Sequence, residues 1–131
     1  MAAPDLSERR ELIAAVAPRF DEVVTRCAQR AVVEIPAYED VPVEDVRQNI
    51  AGDLGRAMAA LVEDRSLTSQ ELAAMGGIGD SRAQQGIPLE AMLRVYRITI
   101  DEVFAALWEA SEQGHLRQDR VIALTRDVWR Y

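Results

Sequence analysis

Residues Ser81–Trp108, SRAQQGIPLEAMLRVYRITIDEVFAALW, decide the fold class of this chain. Gly86 suits the left-handed position that follows a helix C-terminus, so one helix is expected to end there. Pro88 suits the first turn of a second helix, where its fixed φ helps and its missing N–H costs nothing. That helix places Leu89, Met92, Leu93, Tyr96, Ile100, Val103, Phe104, Leu107 and Trp108 at three- and four-residue steps, which makes one apolar face. Ala91, Val95 and Ile98 widen the stripe, so the helix is expected to meet neighbours on two sides.

Working outward, helical spacing continues in both directions and strand alternation is hard to find. Upstream, Thr68 and Glu71 are spaced as a capping box, with Leu67 and Leu72 placed as a hydrophobic staple. The helix they open is expected to bend or fray at Gly76, Gly77 and Gly79 before resuming through Arg82. Pro42 opens an earlier helix with Glu44 and Asp45 in its first turn, where the positive end of the dipole favours acids. Gly52 and Gly55 lie inside it at about 1 kcal/mol each relative to alanine, and are expected to admit a closely packed neighbour. Further back, Pro18 interrupts the stripe begun by Leu12, Ile13 and Val16. Phe20 to Val32 carries a second stripe that should stop before Pro36. Pro36–Pro42 then reads as a loop with Tyr38 folded back onto the bundle. Downstream, Gly114 is expected to end the long helix, and Val121, Leu124 and Val128 begin a last one. The expected architecture is therefore all-α, a single domain over 1–131 of five to six helices. The last pattern reaches Tyr131 without a cap, which suggests the front piece of a longer protein.

The 131 residues are 49% hydrophobic and 28% charged, an ordinary globular balance with room for a core. A net charge of −7 argues against nucleic-acid binding by these residues. All 15 basic residues are arginine, which excludes Schiff-base lysine chemistry and a P-loop lysine. Cys27 is alone, so no internal disulfide can form, and its neighbours Val23, Val24, Ala28 and Ala31 mark it as a buried small hydrophobe. The N-terminus lacks the apolar stretch of a signal peptide, and no apolar run approaches the ~20 residues of a membrane span. A cytoplasmic location without membrane contact is expected.

No reaction centre is legible. The Gly76-Gly77-Ile78-Gly79 cluster lacks the preceding strand and the Lys-Ser/Thr that a phosphate loop needs. His115, the single histidine, follows Gly114 in an expected turn rather than facing a haem pocket from within a helix. One cysteine and one histidine far apart cannot supply a zinc site or a nucleophilic triad. The adjacent carboxylates Glu63-Asp64 and Asp101-Glu102 diverge around a helix, as on solvated faces. No catalytic, metal or cofactor residue is therefore named.

Two features remain on the long helix. Arg94 and Arg97 are expected to pair with Glu90 and Asp101 along the helix, or else to form part of a subunit interface. Tyr96, Ile100, Phe104 and Trp108 are expected to pack into the core, and they are the place for a ligand pocket if the domain has one.

The segment RAQQGIPLEAMLRVYRI (Arg82–Ile98), followed ten residues later by Trp108, resembles the N-terminal domain of actinobacterial PucR/CdaR-type transcriptional regulators. That domain is similar to the N-terminal domain of the RsbRD co-antagonist proteins of the stress response. Glu34–Tyr38 (EIPAY) is a second piece of the pattern, and Pro36, Tyr38, Arg82, Gly86, Pro88, Tyr96 and Arg97 carry it. The resemblance implies a globin-like bundle without haem that pairs as a homodimer and has no catalytic residues. It implies a signal-input domain ahead of a C-terminal helix-turn-helix module, through which alone DNA would be contacted. A small-molecule effector is compatible with that role, and its identity is left open. The alternative is a stressosome-like scaffold acting through protein contacts, in which a STAS-type module would replace the helix-turn-helix.

Overall fold

Prolines and glycines set where the helices of this chain begin and end. The computed structural model describes residues 6–63, 65–114 and 117–128, and His115 lies outside them. It contains α1 (Leu6–Val16), α2 (Phe20–Glu34), α3 (Val43–Val62), α4 (Ser69–Gln84), α5 (Leu89–Glu112) and α6 (Gln118–Val128). The result is a single all-helical domain, with no strand among the described residues. Pro18 falls in a 3-10 turn, Ala17–Arg19, that separates α1 from α2. Pro36 opens a second such turn, Pro36–Tyr38, which carries Tyr38 back into the core. Gly86 and Gly114, at φ +82 and +78, follow α4 and α5 in the left-handed conformation that L side chains resist.

α4 starts where the capping box was expected. The Glu71 N–H donates to Thr68 Oγ1 at 3.1 Å, and the Thr68 N–H donates to Glu71 Oε1 at 2.9 Å. The glycine cluster does not interrupt it: α4 is one helix through Gly76, Gly77 and Gly79. Its two ends are held by the Thr68–Glu71 cap and the closure at Gly86, and the helix carries the glycines at a propensity cost of about 1 kcal/mol each. A second expectation also fails. A Cβ at Gly55 would meet nothing within 4 Å, and one at Gly52 would meet only the guanidinium of Arg56 on the same helix. Among the described residues, no neighbouring helix approaches closely at these two glycines.

α2 packs between α3 and α5. Val23, Val24, Cys27, Ala28 and Ala31 meet Val46 and Ile50 of α3 and Ala91, Ile98 and Ala106 of α5. The alanines thin the contact and let the helix axes approach, while each buried valine or isoleucine contributes roughly 1.5–3 kcal/mol. A second cluster joins Leu12, Ala15 and Val16 of α1 to Leu107 and Ala110 of α5 and Val121 of α6, and Val103 touches both clusters. Arg30 of α2 ties to Glu102 of α5 at 3.1 Å, and Arg120 of α6 ties to Glu11 of α1. α4 stands apart from this packing: among its described residues only Arg82 is buried. No described helix is long and apolar enough to cross a membrane.

Candidate functional site

Two residues singled out in the sequence, Tyr38 and Arg82, are 44 positions apart and meet in space. The end of α4 explains how Arg82 gets there. The Gly86 N–H donates to the Ala83 carbonyl at 3.0 Å and the Ile87 N–H to the Arg82 carbonyl at 3.1 Å. This is the paired closure that a left-handed glycine allows, and it turns the chain so that Ile87 enters the core. Pro88 then accepts from the Ala91 and Met92 N–H groups and starts α5. On the other side, Pro36 ends α2 and the Tyr38 N–H donates to the Ile35 carbonyl at 2.9 Å, which holds the ring inward.

At the junction the Arg82 guanidinium lies 5.9 Å from the centroid of the Tyr38 ring, a cation–π distance. Both residues are buried, at 6% and 4% exposure. Burial pushes the Tyr38 phenol up and the nearby Arg82 charge partly opposes it, so the hydroxyl stays protonated near neutrality. Arg82 Nη1 donates to Gln85 Oε1 at 3.0 Å, and no carboxylate among the described residues reaches it. Beside Arg82 is an open cavity of about 370 Å³. Asp45, Gln48 and Asn49 of α3 form one wall and Ser81, Arg82 and Gln85 at the end of α4 form the other.

α5 carries the residues read from sequence as a pocket or an interface. Its inner face, with Ala91, Ile98, Ala106 and Leu107, is buried. A second apolar face turns outward: Leu89 is 68% exposed, Leu93 51% and Tyr96 65%, with Ile100 half-buried behind them. Phe104 is half-buried against the second core cluster. Trp108 is 40% exposed, and its indole N–H donates to Glu112 Oε1 at 3.0 Å on the same helix. Thus Tyr96, Ile100, Phe104 and Trp108 share one side of α5, open to solvent at both ends of the row.

Arg94 and Arg97 are exposed on the same helix and edge a smaller cavity of about 170 Å³ with Glu34, Ile35, Ile98 and Asp101. Neither forms the expected ion pair with Glu90 or Asp101 among the described residues. Such exposed pairs gain about 0–1 kcal/mol at best, too little to hold two long side chains in one geometry. Arg30 holds the Glu34 carboxyl below its usual range, and Arg94 adds a weaker pull. Among the described residues no group of three His, Cys, Asp or Glu side chains could hold a metal ion.

Sequence reasoning named Tyr38 and Arg82 separately and missed that they touch. It also missed the cavity residues Asp45, Gln48, Asn49, Ser81 and Gln85. One signal was available, because Arg82 sits in the last turn of α4 just before its closing glycine, where a cation meets the negative end of the helix.

A family model described as the RsbT co-antagonist protein rsbRD N-terminal domain matches residues 21–131, from the start of α2 onward. No curated protein matches the chain, and no solved structure does.

Proposed function

Since the chain belongs to the RsbT co-antagonist protein rsbRD N-terminal domain family, we propose that it is a non-enzymatic signal-input and dimerisation domain of a PucR-like transcriptional regulator. The observation that carries the dimerisation reading is the outward apolar face of α5, Leu89, Leu93 and Tyr96 with Ile100 behind them. Large side chains in a row gain from being covered, and a second copy of the same face is self-complementary across a two-fold axis. Charge supports the same occupant. The chain carries −7 overall, yet the exposed residues edging this face, Glu90, Arg94, Arg97 and Asp101, balance as two acids against two arginines. Two copies therefore meet here with less repulsion than across the rest of their acidic surface.

Signal transfer follows from the packing of α5. Its far end holds Val121 of α6 through Leu107 and Ala110, so a change in α5 pairing moves the helix that leads toward the C-terminus. DNA contact belongs to a C-terminal helix-turn-helix module in this reading, and the parent protein acts in the cytoplasm. The second reading, a stressosome-type scaffold, is favoured by the family's own description as a co-antagonist protein domain. The reading frame beyond Tyr131 separates the two, through a helix-turn-helix or a STAS-type module.

The interface is tested by cross-linking. Leu93→Cys introduces an exposed thiol on α5, while Cys27 is fully buried and contributes no background. Mild oxidation is expected to give a covalent dimer. A Val33→Cys control, on an exposed apolar residue of α2, is expected to stay monomeric. Equal cross-linking at both positions would contradict the reading.

A further inference from the structure

The cavity between α3 and α4 joins two unpaired charges of opposite sign. Arg82 is a buried residue that lines this cavity, and its guanidinium carries five donors that seek acceptors. Arg30, Arg56 and Arg65 each face a carboxylate. Arg82 has the Tyr38 face and one amide oxygen, and its Nε and Nη2 make no hydrogen bond to any described residue. Across the cavity Asp45 is exposed, and its carboxylate makes no ion pair or hydrogen bond among the described residues. The two charged groups line the same space without approaching to ion-pair distance, since Asp45 is not among the carboxylates that arginines reach.

Gln48, Asn49, Ser81 and Gln85 add side chains that can both donate and accept, beside Ala74, Gly77 and Ile78. The volume of about 370 Å³ lies in the range of small-molecule sites. A simple anion would satisfy Arg82 but face Asp45 and the −7 charge of the chain. A ligand carrying a carboxylate and an ammonium answers both walls at once.

We propose that this cavity binds a small zwitterion of the α-amino acid class, its carboxylate on Arg82 and its ammonium on Asp45. Arg82 in the last turn of α4 and Asp45 in the first turn of α3 are then drawn together by the ligand. α4 is otherwise the least packed helix, so ligand binding fixes the element that leads through Gly86 and Pro88 into α5. The biological use of the site rests on the signal-input reading, whereas binding and self-association are measured separately and can fail separately.

The test is calorimetric and thermal-shift titration of the 131-residue chain with each proteinogenic α-amino acid at millimolar concentration. The best binder is then compared with its N-acetyl derivative, its methyl ester and inorganic phosphate. At least one amino acid is expected to bind and raise the melting temperature. Blocking either its ammonium or its carboxylate should weaken binding about tenfold or more, as loss of a charged contact does. Asp45→Asn should weaken the amino acid to a similar degree while leaving binding of the N-acetyl derivative unchanged. Arg82 is buried, so Arg82→Lys accompanies Arg82→Gln to separate loss of binding from loss of fold. Failure of every amino acid to bind, phosphate binding as tightly as the best of them, or indifference to Asp45→Asn would each overturn the proposal.

Discussion

Cys27 shows how a single position is fixed by its surroundings. It is fully buried on α2, and burial pushes its thiol up to about 11, with a Thr99 hydrogen bond acting weakly the other way. The thiolate is the reactive form, so the side chain behaves as a small hydrophobe. A water-soluble disulfide reagent is expected to leave native protein unlabelled and to label one thiol per chain only after unfolding; rapid labelling of folded protein would contradict the packing of α2. This residue was legible from sequence because Val23, Val24, Ala28 and Ala31 around it are small and apolar. Arg82 was not legible in the same way. Its register at the end of α4 could be read, but its contact with Tyr38 depends on two turns folding toward each other, which no local pattern encodes. The same applies to Arg94 and Arg97, whose expected partners lie at the right spacing but are not engaged.

Among the elements, α4 gives the clearest tests. Its start is held by Glu71, whose carboxyl is drawn down to about 2, first by hydrogen bonding to Arg65 and then by the Thr68 N–H. The folded value lies below the ordinary 4.5, so the stabilisation is fully present above that pH. It is lost as the pH falls from about 4.5 toward about 2. The melting temperature of the native chain should exceed that of Glu71→Gln at neutral pH, and the gap should close over this acid window. A gap independent of pH would exclude the charged cap. Inside α4, Gly76 has open space around it, as has Gly55 in α3. Alanine at either site is expected to stabilise by roughly 0.5–1 kcal/mol in denaturant unfolding, since helix propensity rises without a clash. At Gly86 the same change should destabilise, because φ is +82. Helix ends were readable because prolines, glycines and a capping box act over four or five residues. The interior glycines misled, because a glycine that admits a neighbour and one that merely lowers stability look the same in sequence.

For the whole molecule, the helical class followed from periodicity, but the distribution of packing did not. α5 was expected to meet neighbours on two sides from its wide apolar stripe. It packs against α2 in one core cluster and against α1 and α6 in the other, while the row Leu89, Leu93 and Tyr96 stays exposed among the described residues. The uncovered side, with Leu89, Leu93 and Tyr96, is the feature from which dimerisation and signal transfer are proposed. A ligand at the Tyr38–Arg82 junction could influence pairing at this face of α5 through the short link Gly86–Pro88. Sedimentation equilibrium of the domain, beside a Leu93→Asp/Tyr96→Asp variant, tests the proposal of a dimerising input domain most directly. The expected result is a dimer at tens of micromolar for the native sequence and a folded monomer for the variant. A native monomer at that concentration, or a variant that remains dimeric, would contradict it.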